Sequence, residues 1–471
     1  MIHLKKRLYR IIMKILIGRK VKVIGIISVF FIFAALWVYC KNSFSAPNVI
    51  IIVVDALRSD HLGCYGYRRN TSPNVDRLAK EGVMFKQAIT AAGWTWESVP
   101  SILTGVYSPV HHIKDWNKIP LNPAIKTLPR ILKQRNIHSV LFSDTLALGM
   151  LDIKDGFDSV FIEGGSLNMA KVADWLKGNA GSPFFMYIHF LGSHAPYGVS
   201  RGYYSNYLSD EVRIRKEIPI VKKNELVSQN GHREFQGLGK IPYLVAQKRI
   251  SDTGYYVAKY DGAINFTDNS IGDLLKSLKL SGLLNNTMII ITADHGESLG
   301  EHNIYFDHAN CYEEDIRVPL IIIFPKLFSR GEVISQQVSL VDIVPTVLDI
   351  MRIKIPSYVQ GKSLMRLLKN KKNNLHPYVY ISAPGYDGLQ SAIRSEDWKL
   401  IKIDNSYELY NLSSDPQEKF NLINKEEARF EEYKRILEFY HGNKYVSYAE
   451  GKVRFLTDQE KMALKTLGYL Q

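Results

Sequence analysis

Acidic and histidine side chains follow two apolar runs of the sequence, close to the point where each run ends. Asp55 comes directly after residues 49–54, and Asp294 and His295 follow residues 288–291. Because ligands of open α/β sheets bind beyond the carboxyl ends of the strands, we expect these side chains to share one site. A carboxylate behind a buried strand is costly unless it is paired or binds a metal ion. Carboxylate oxygen and imidazole nitrogen together suit a divalent cation, so the sequence predicts a metal site.

The strands that carry these side chains are predicted by apolar runs rich in β-branched residues. Such runs suit strands that are buried on both faces of a parallel sheet, and they occupy residues 49–54, 184–188, 288–291 and 320–323. Helical patterns lie at residues 74–82 and 260–278. Strands that alternate with helices predict an α/β fold with a large, mostly parallel central sheet flanked by helices. His194 lies beyond the second run and would reach the same edge.

A smaller antiparallel sheet is predicted from about residue 380 onward. Residues 391–394, 398–403 and 407–412 have the lengths and flanking turn residues of short strands. We therefore divide the globular part into a catalytic α/β domain, residues 46–375, and a C-terminal subdomain and tail, residues 376–471. Residues 198–250 are polar and rich in Tyr, Lys and Asn. They form either a lid over the site or a solvated surface loop.

The first 40 residues predict a membrane anchor. Residues 23–40 are an uninterrupted apolar run, close to the ~20 residues that cross a bilayer core. Residues 1–22 hold eight basic residues and no acidic one, which places this leader in the cytoplasm and the chain after residue 45 outside it. A cleaved signal peptide is the alternative. The long basic leader and the lack of a small-residue cleavage site favour a single-pass anchor, and thus a membrane location.

The net charge gives no support to a nucleic-acid partner. The chain has a formal charge of +14, and eight of the basic residues lie in the leader. The basic character is therefore largely a feature of the N-terminus. Three cysteines are also too few for a disulfide framework. The oligomeric state is not predictable from these observations.

Motifs along residues 47–425 occur in an order that points to one family. They include Asp294-His295-Gly296-Glu297-Ser298-Leu299-Gly300-Glu301-His302, His194-Ala195-Pro196-Tyr197, Leu103-Thr104-Gly105 and Asp415-Pro416-Gln417-Glu418. With these motifs the chain resembles the sulfatase family, part of the alkaline phosphatase superfamily. The resemblance implies a metal-dependent ester-cleaving enzyme that acts on anionic esters.

The nucleophile position departs from the usual family pattern. Most sulfatases carry a Cys or Ser that is converted to formylglycine, in a C/S-x-P-x-R motif. Counting back from Leu103-Thr104-Gly105, this position falls on Thr95 and the arginine position on Val99. The chain then resembles a threonine-nucleophile branch of the superfamily. Two alternatives remain: Ser98 is the nucleophile in a shifted register, or Thr95 only caps the following helix.

The resemblance also implies roles for further residues. One divalent cation, zinc, manganese or calcium, would be held by Asp55, Thr95, Asp294 and His295, and it would activate the Thr95 hydroxyl as the nucleophile. Imidazoles titrate in the range useful for protonating a leaving group or holding the ester, and the candidates are His194, His302 and His308. Arg58 is a further candidate for contacting the anionic ester. The family's Gly-Lys-Trp-His segment, which contacts sulfate, is missing, and Phe142-Ser143-Asp144-Thr145 lies near its place.

The sequence therefore predicts a hydrolase of sulfate or of phosphate and phosphonate esters. A formylglycine hydrate can expel sulfate through its second hydroxyl, whereas a threonine ester must be attacked at its central atom. This difference favours phosphate esters at least as strongly as sulfate esters. One alternative is a transferase that moves a phospho-group between envelope lipids and glycans. Another is a non-catalytic binding protein on a sulfatase scaffold.

Overall fold

The computed structural model describes residues 46–114, 120–208, 216–222, 237–246, 249–328, 331–369, 374–385 and 389–442. The predicted leader, the apolar run at residues 23–40 and the tail after residue 442 lie outside these residues. Among the described residues, none of the helices combines the length and the apolar character that a membrane span requires.

Eight strands form the central sheet, in the order β10-β2-β9-β6-β1-β5-β3-β4. These strands are β1 (Asn48–Val54), β2 (Val83–Ile89), β3 (His138–Ser143), β4 (Ser159–Ile162), β5 (Phe184–Phe190), β6 (Thr287–Thr292), β9 (Arg317–Ile323) and β10 (Glu332–Ser339). Strand β9 runs antiparallel to β2 and to β6. The other pairs are parallel, so the predicted α/β fold with a mostly parallel sheet is confirmed. A separate pair, β7 (Ser298–Leu299) and β8 (Tyr305–Asp307), lies outside this sheet.

Strand β1 occupies the middle of the sheet because its side chains are apolar on both faces. It pairs in parallel with β5 on one side and with β6 on the other. Val49, Ile51 and Val53 are fully buried, as are Ile50 and Ile52 from the other face. The position is typical of a strand covered by helices on both faces. The residues that follow β1, β5 and β6 consequently emerge side by side.

Helices cover the faces of the sheet. They are α1 (Pro73–Glu81), α2 (Thr95–Thr104), α3 (Ser108–His111), α4 (Leu128–Lys133), α5 (Met169–Gly178), α6 (Arg201–Tyr204), α7 (Thr253–Leu280), α8 (Glu313–Ile316), α9 (Ile343–Ile350), α10 (Met365–Lys369) and α11 (Glu427–Gly442). Helix α7 begins where the Asp252 side chain accepts a hydrogen bond from the Gly254 amide, a side-chain cap. Helix α2 is buried along its whole length and ends at Gly105, whose φ of 73° requires a residue tolerant of the left-handed region.

The C-terminal part forms an antiparallel sheet, as predicted, and the sheet has a fourth strand, β11 (Val379–Ala383), that was not predicted. Its other strands are β12 (Gln390–Arg394), β13 (Trp398–Ile403) and β14 (Ser406–Asn411). Ile393, Leu400 and Leu409 form its buried face, and α11 packs there through Tyr433 and Leu437. Strand β11 also binds the chain just before α2, because the Ser382 amide donates to Ala91 and the Gly93 amide donates to Ser382. The segment that leads to Thr95 is thereby fixed to the second sheet.

Candidate functional site

Acidic and histidine side chains converge at the carboxyl ends of three neighbouring strands. Asp55 follows β1, His189 lies near the end of β5, and Asp294 follows β6. Ligand atoms of these three buried residues all lie within 4.8 Å of one another. The Asp55 Oδ2 atom is 3.4 Å from His189 Nε2, and the Asp55 Oδ1 atom is 3.3 Å from His295 Nε2. The sheet order therefore brings together residues that are far apart in sequence.

The chemistry of this cluster fits a divalent cation. Asp55 Oδ1 and Asp294 Oδ2 are buried, and neither accepts a hydrogen bond from a described residue. Burial raises the pKa of the Asp55 carboxyl, and the neighbouring carboxylates of Asp294 and Glu297 raise it further. Burial lowers the pKa of His189 to about 4, so its imidazole is neutral near pH 7 and has a lone pair to offer. Two carboxylates with imidazole nitrogen are a ligand set for zinc or manganese.

Thr95 lies beside this cluster, at the start of α2. Its Oγ1 atom is 3.2 Å from His295 Nε2. The N-cap position of α2 is held by Trp94, and no side chain caps this end of the helix. Gly93 allows the chain just before Thr95 to lie close to Asn310, because a Cβ at position 93 would be 2.1 Å from the Asn310 carbonyl oxygen. The structure therefore does not support the alternative in which Thr95 only caps the helix.

Ser98, the alternative nucleophile, has a different partner. Its hydroxyl donates to the backbone carbonyl of Asp294 at 2.7 Å, and the side chain is fully buried. Thr90 donates to the same carbonyl at 2.5 Å. These two hydroxyls hold the loop after β6 in place, so Ser98 has a role in positioning Asp294.

Two further predicted histidines stand at the same site. The rings of His194 and His308 have centroids 4.8 Å apart, and the His308 ring stacks on that of His295 at 4.3 Å. Burial is nearly complete for both, with 3% of His194 and 0% of His308 exposed. The predicted grouping of Asp55, Thr95, Asp294 and His295 with these two imidazoles is thus present in the geometry.

His302 and Arg58 are placed differently. The His302 ring stacks on Tyr312, and its Nε2 atom lies 3.8 Å from Glu314, in a second cluster that includes Glu418. This position does not favour the predicted role of His302 in protonating a leaving group. The Arg58 guanidinium pairs with Asp60 and Glu301, each at 2.8 Å. These pairings direct its donors to carboxylates of the protein, so its contact with a substrate anion stays a prediction.

Three site residues were not predicted from the sequence as site residues. His189 lies inside an otherwise apolar strand, where a single histidine resembles an ordinary core residue. Glu297 accepts a hydrogen bond from the Tyr197 hydroxyl, and its Oε2 atom lies 3.1 Å from Nδ1 of His308. Asp144 accepts a hydrogen bond from the Leu191 amide at 2.5 Å, and burial raises its pKa to about 7. The sequence signal for Asp144 was its position directly after β3, the strand next to β5.

The fold is of the alkaline phosphatase type, and comparison with protein families makes the assignment specific. The sulfatase model matches residues 47–169 and 166–353. The model of the N-sulphoglucosamine sulphohydrolase C-terminal region matches residues 300–438. The chain belongs to the sulfatase family, and the prediction of an ester-hydrolysing enzyme is confirmed.

Characterised relatives are similar over most of the chain. An N-acetylglucosamine-6-O-sulfatase of Bacteroides thetaiotaomicron is 26% identical, over 82% of this chain and 84% of that protein. An arylsulfatase of Clostridium perfringens is also 26% identical, over 88% of this chain and 97% of that protein.

Solved structures confirm the fold. A structure in complex with its substrate D-glucosamine-2-N,6-O-disulfate has a TM-score of 0.68 and 23% identity, over 84% of this chain and 98% of that chain. The phosphonate monoester hydrolase of Agrobacterium radiobacter has a TM-score of 0.69 and 18% identity, over 84% and 96% of the two chains.

Proposed function

We propose that this chain is a membrane-anchored, metal-dependent hydrolase that cleaves anionic esters with Thr95 as its nucleophile. The observation that carries the proposal is the position of Thr95 Oγ1, 3.2 Å from His295 Nε2, the same atom that lies 3.3 Å from Asp55 Oδ1 and 3.7 Å from Asp294 Oδ2. Residues 23–40 would anchor the chain, with the leader in the cytoplasm and residues 46–471 outside it.

Asp55, Asp294 and His295 would hold the cation, and His189 extends this ligand set. When bound, a zinc, manganese or calcium ion lowers the pKa of a nearby hydroxyl and offsets negative charge on the ester oxygens. The protein supplies the geometry: Ser98 and Thr90 fix the Asp294 backbone, and the second sheet fixes the segment before Thr95.

The reaction proceeds in two displacements at the central atom. The deprotonated Thr95 oxygen attacks phosphorus or sulfur, and the bond to the leaving oxygen breaks. That oxygen takes a proton from the imidazole pair of His194 and His308, whose rings lie 4.8 Å apart. Water then attacks the same central atom, returns a proton to the pair, and releases Thr95.

The substrate class follows from the chemistry of the second displacement. A threonine ester has no internal route for expelling sulfate, so water must reach the central atom. Attack at phosphorus is the ordinary course for phosphate and phosphonate esters. The relatives include sulfatases of sugars and of aryl esters, and one structural neighbour is a phosphonate monoester hydrolase. We therefore propose that the candidate substrates are sulfate monoesters and phosphate or phosphonate monoesters.

We infer that the insertion at residues 198–250 acts as a lid. Its described part pairs with the segment before His308, because the Gly239 amide donates to Asn303 and the Tyr305 amide donates to Gly237. Lys216 also donates to the Tyr305 hydroxyl at 3.2 Å. A segment attached next to the site is in a position to select substrates.

An activity screen of the full-length chain tests the proposal. The protein in mild detergent is assayed on nitrophenyl phosphate, phosphonate and sulfate esters with each metal in turn. We expect Thr95→Ala to reduce turnover by at least about 1,000-fold, and Ser98→Ala to retain measurable turnover. Normal turnover by Thr95→Ala would refute the assignment. Product formation that depends on an added alcohol acceptor would instead identify a transferase.

A further inference from the structure

Glu297 joins the two histidine-bearing loops of the site. The carboxylate is fully buried. Its Oε1 atom accepts a hydrogen bond from the Tyr197 hydroxyl at 2.6 Å. Its Oε2 atom lies 3.1 Å from Nδ1 of His308. One side chain therefore contacts both the loop that contains His194 and the loop that contains His308.

The Tyr197 side of this connection is held from several directions. Its φ of 56° is unusual for a large side chain, and such a conformation persists only when the surroundings fix it. The ring packs edge-on against Tyr260 and Phe306, with centroids 5.6 and 6.3 Å away. The Lys259 ammonium donates to the Pro196 carbonyl at 3.1 Å. The loop is thus built to keep the Tyr197 hydroxyl on Glu297.

The contact with His308 determines where its proton is carried. Because Glu297 already accepts the Tyr197 hydroxyl proton on Oε1, its Oε2 atom is placed to accept from His308 as well, and in that arrangement Nδ1 of His308 is the donor. Nε2, on the opposite side of the ring, is then the atom that can exchange a proton. A carboxylate behind an imidazole fixes the tautomer and the ring orientation in the same way in other catalytic sites.

We propose that Glu297 is a positioning residue that, together with Tyr197, orients His308 for proton transfer to the leaving oxygen. The inference deepens the proposed function and rests on it, because it presumes that the imidazole pair serves the ester bond. Glu297 would act through His308 rather than on the ester itself. Its effect should therefore depend on how strongly the leaving oxygen needs a proton.

The experiment compares two esters of one acid in the full-length, metal-loaded enzyme. A nitrophenyl ester leaves as a stable anion, whereas an alkyl ester leaves as an alkoxide that needs a proton. We measure kcat/KM, which reports formation of the Thr95 ester. Glu297→Gln should lower kcat/KM for the alkyl ester by about 100-fold and for the nitrophenyl ester only a few-fold. Tyr197→Phe should show the same selectivity at smaller amplitude.

A matched control removes a comparable hydrogen bond elsewhere. Tyr67→Phe deletes a tyrosine–carboxylate bond to Asp261, 2.8 Å long, and should affect both esters equally. Equal losses on both esters in Glu297→Gln would overturn the positioning role while leaving the hydrolase intact. If the wild-type enzyme cleaves neither ester, the proposed function fails, and the inference fails with it.

A spectroscopic measurement tests the same contact without turnover. In protein labelled with ¹⁵N-histidine, the His308 signal is identified by its loss in His308→Gln. We expect the proton on Nδ1 in the neutral ring, and a shift of this signal in Glu297→Gln. A neutral ring protonated on Nε2 would contradict the orientation that Glu297 is proposed to impose.

Discussion

The buried carboxylates of Asp55 and Asp294 are costly to the protein. Each has an oxygen with no hydrogen-bond donor among the described residues, and an unsatisfied buried polar group costs roughly 1–3 kcal/mol. A cation shared by both oxygens would offset this cost. The cluster is therefore better explained by metal binding than by its contribution to stability.

His189 provides the sharpest residue-scale prediction. Because its Nε2 atom lies 3.4 Å from Asp55 Oδ2, His189→Gln should weaken metal binding by at least about 10-fold. The measurement is a titration of manganese or zinc against a competing chelator. His111→Gln is the matched control, since His111 is also buried but bonds to Ser101. Unchanged affinity in His189→Gln would show that this imidazole is not part of the metal site.

Several site residues were predictable and others were not. Asp55, Asp294 and His295 follow apolar runs, so their position at strand ends could be predicted from the run itself. His189 lies within such a run, and only the register between β1 and β5 places it beside Asp55. His302 shares a motif with His295, but it lies in the connection between β7 and β8, where its ring stacks on Tyr312.

Helix α2 connects Thr95 to both sheets, and Glu97 contributes to this connection. Its buried carboxylate accepts hydrogen bonds from Trp94 Nε1 at 3.1 Å and from the Ser382 hydroxyl of β11. Burial raises the pKa of this carboxyl, and its hydroxyl partners oppose the rise. Two residues after Thr95, Glu97 thus ties the start of α2 to the C-terminal sheet.

Removing the Glu97 contacts should destabilise helix α2 and the site together. Glu97→Ala leaves two buried donors without an acceptor, which should reduce the free energy of unfolding by about 2–3 kcal/mol and also lower turnover. Glu97→Gln keeps the shape and an acceptor oxygen, and should lose less in both respects. Urea unfolding and the nitrophenyl ester assay provide the two measurements. A fully stable and active Glu97→Ala variant would contradict the role assigned to this contact.

The elements themselves were predictable where burial was uniform. Strands β1, β5, β6 and β9 are continuous apolar runs, and the predicted segments fall within them. Strands β2, β3, β4, β10 and β11 were not predicted. In β2 and β10, residues such as Lys86 and Gln336 interrupt the apolar pattern. Helix α7 begins at Thr253, seven residues before its predicted start, because the Asp252 cap lies next to a polar segment that shows no helical period. The antiparallel direction of β9 depends on tertiary pairing that a single run cannot reveal.

At the scale of the whole molecule, a buried charge network joins the C-terminal sheet to the catalytic domain. Lys399 of β13 is fully buried and lies 3.1 Å from Glu313 and 2.5 Å from Glu418. Arg394 of β12 pairs with Glu313 at 2.8 Å. Glu314 adds a further buried acid. Burial, together with the charges of Glu301 and Glu418, raises its pKa from 4.5 to about 8.

This junction should make stability depend on pH. In the unfolded chain Glu314 ionises above its pKa of 4.5, whereas in the fold it keeps its proton up to about pH 8. The folded state therefore binds more protons in this window, and its stability falls as the pH rises. Glu314→Gln cannot ionise and should lose less stability between pH 5 and pH 8, as measured by thermal unfolding at each pH. Glu81→Gln, on an exposed position, is the control. Parallel curves for wild type and Glu314→Gln would contradict the prediction.

The proposed function requires that Thr95 becomes covalently attached to the ester's central group. The most direct measurement is acid quenching of the metal-loaded enzyme during turnover, followed by proteolysis and mass spectrometry. We predict that the peptide with Thr95 gains one phosphoryl or sulfuryl group on that residue, and that the Thr95→Ala enzyme gains none. Continued turnover with the group on Ser98, or with no labelled peptide at all, would refute the proposal that Thr95 is the nucleophile.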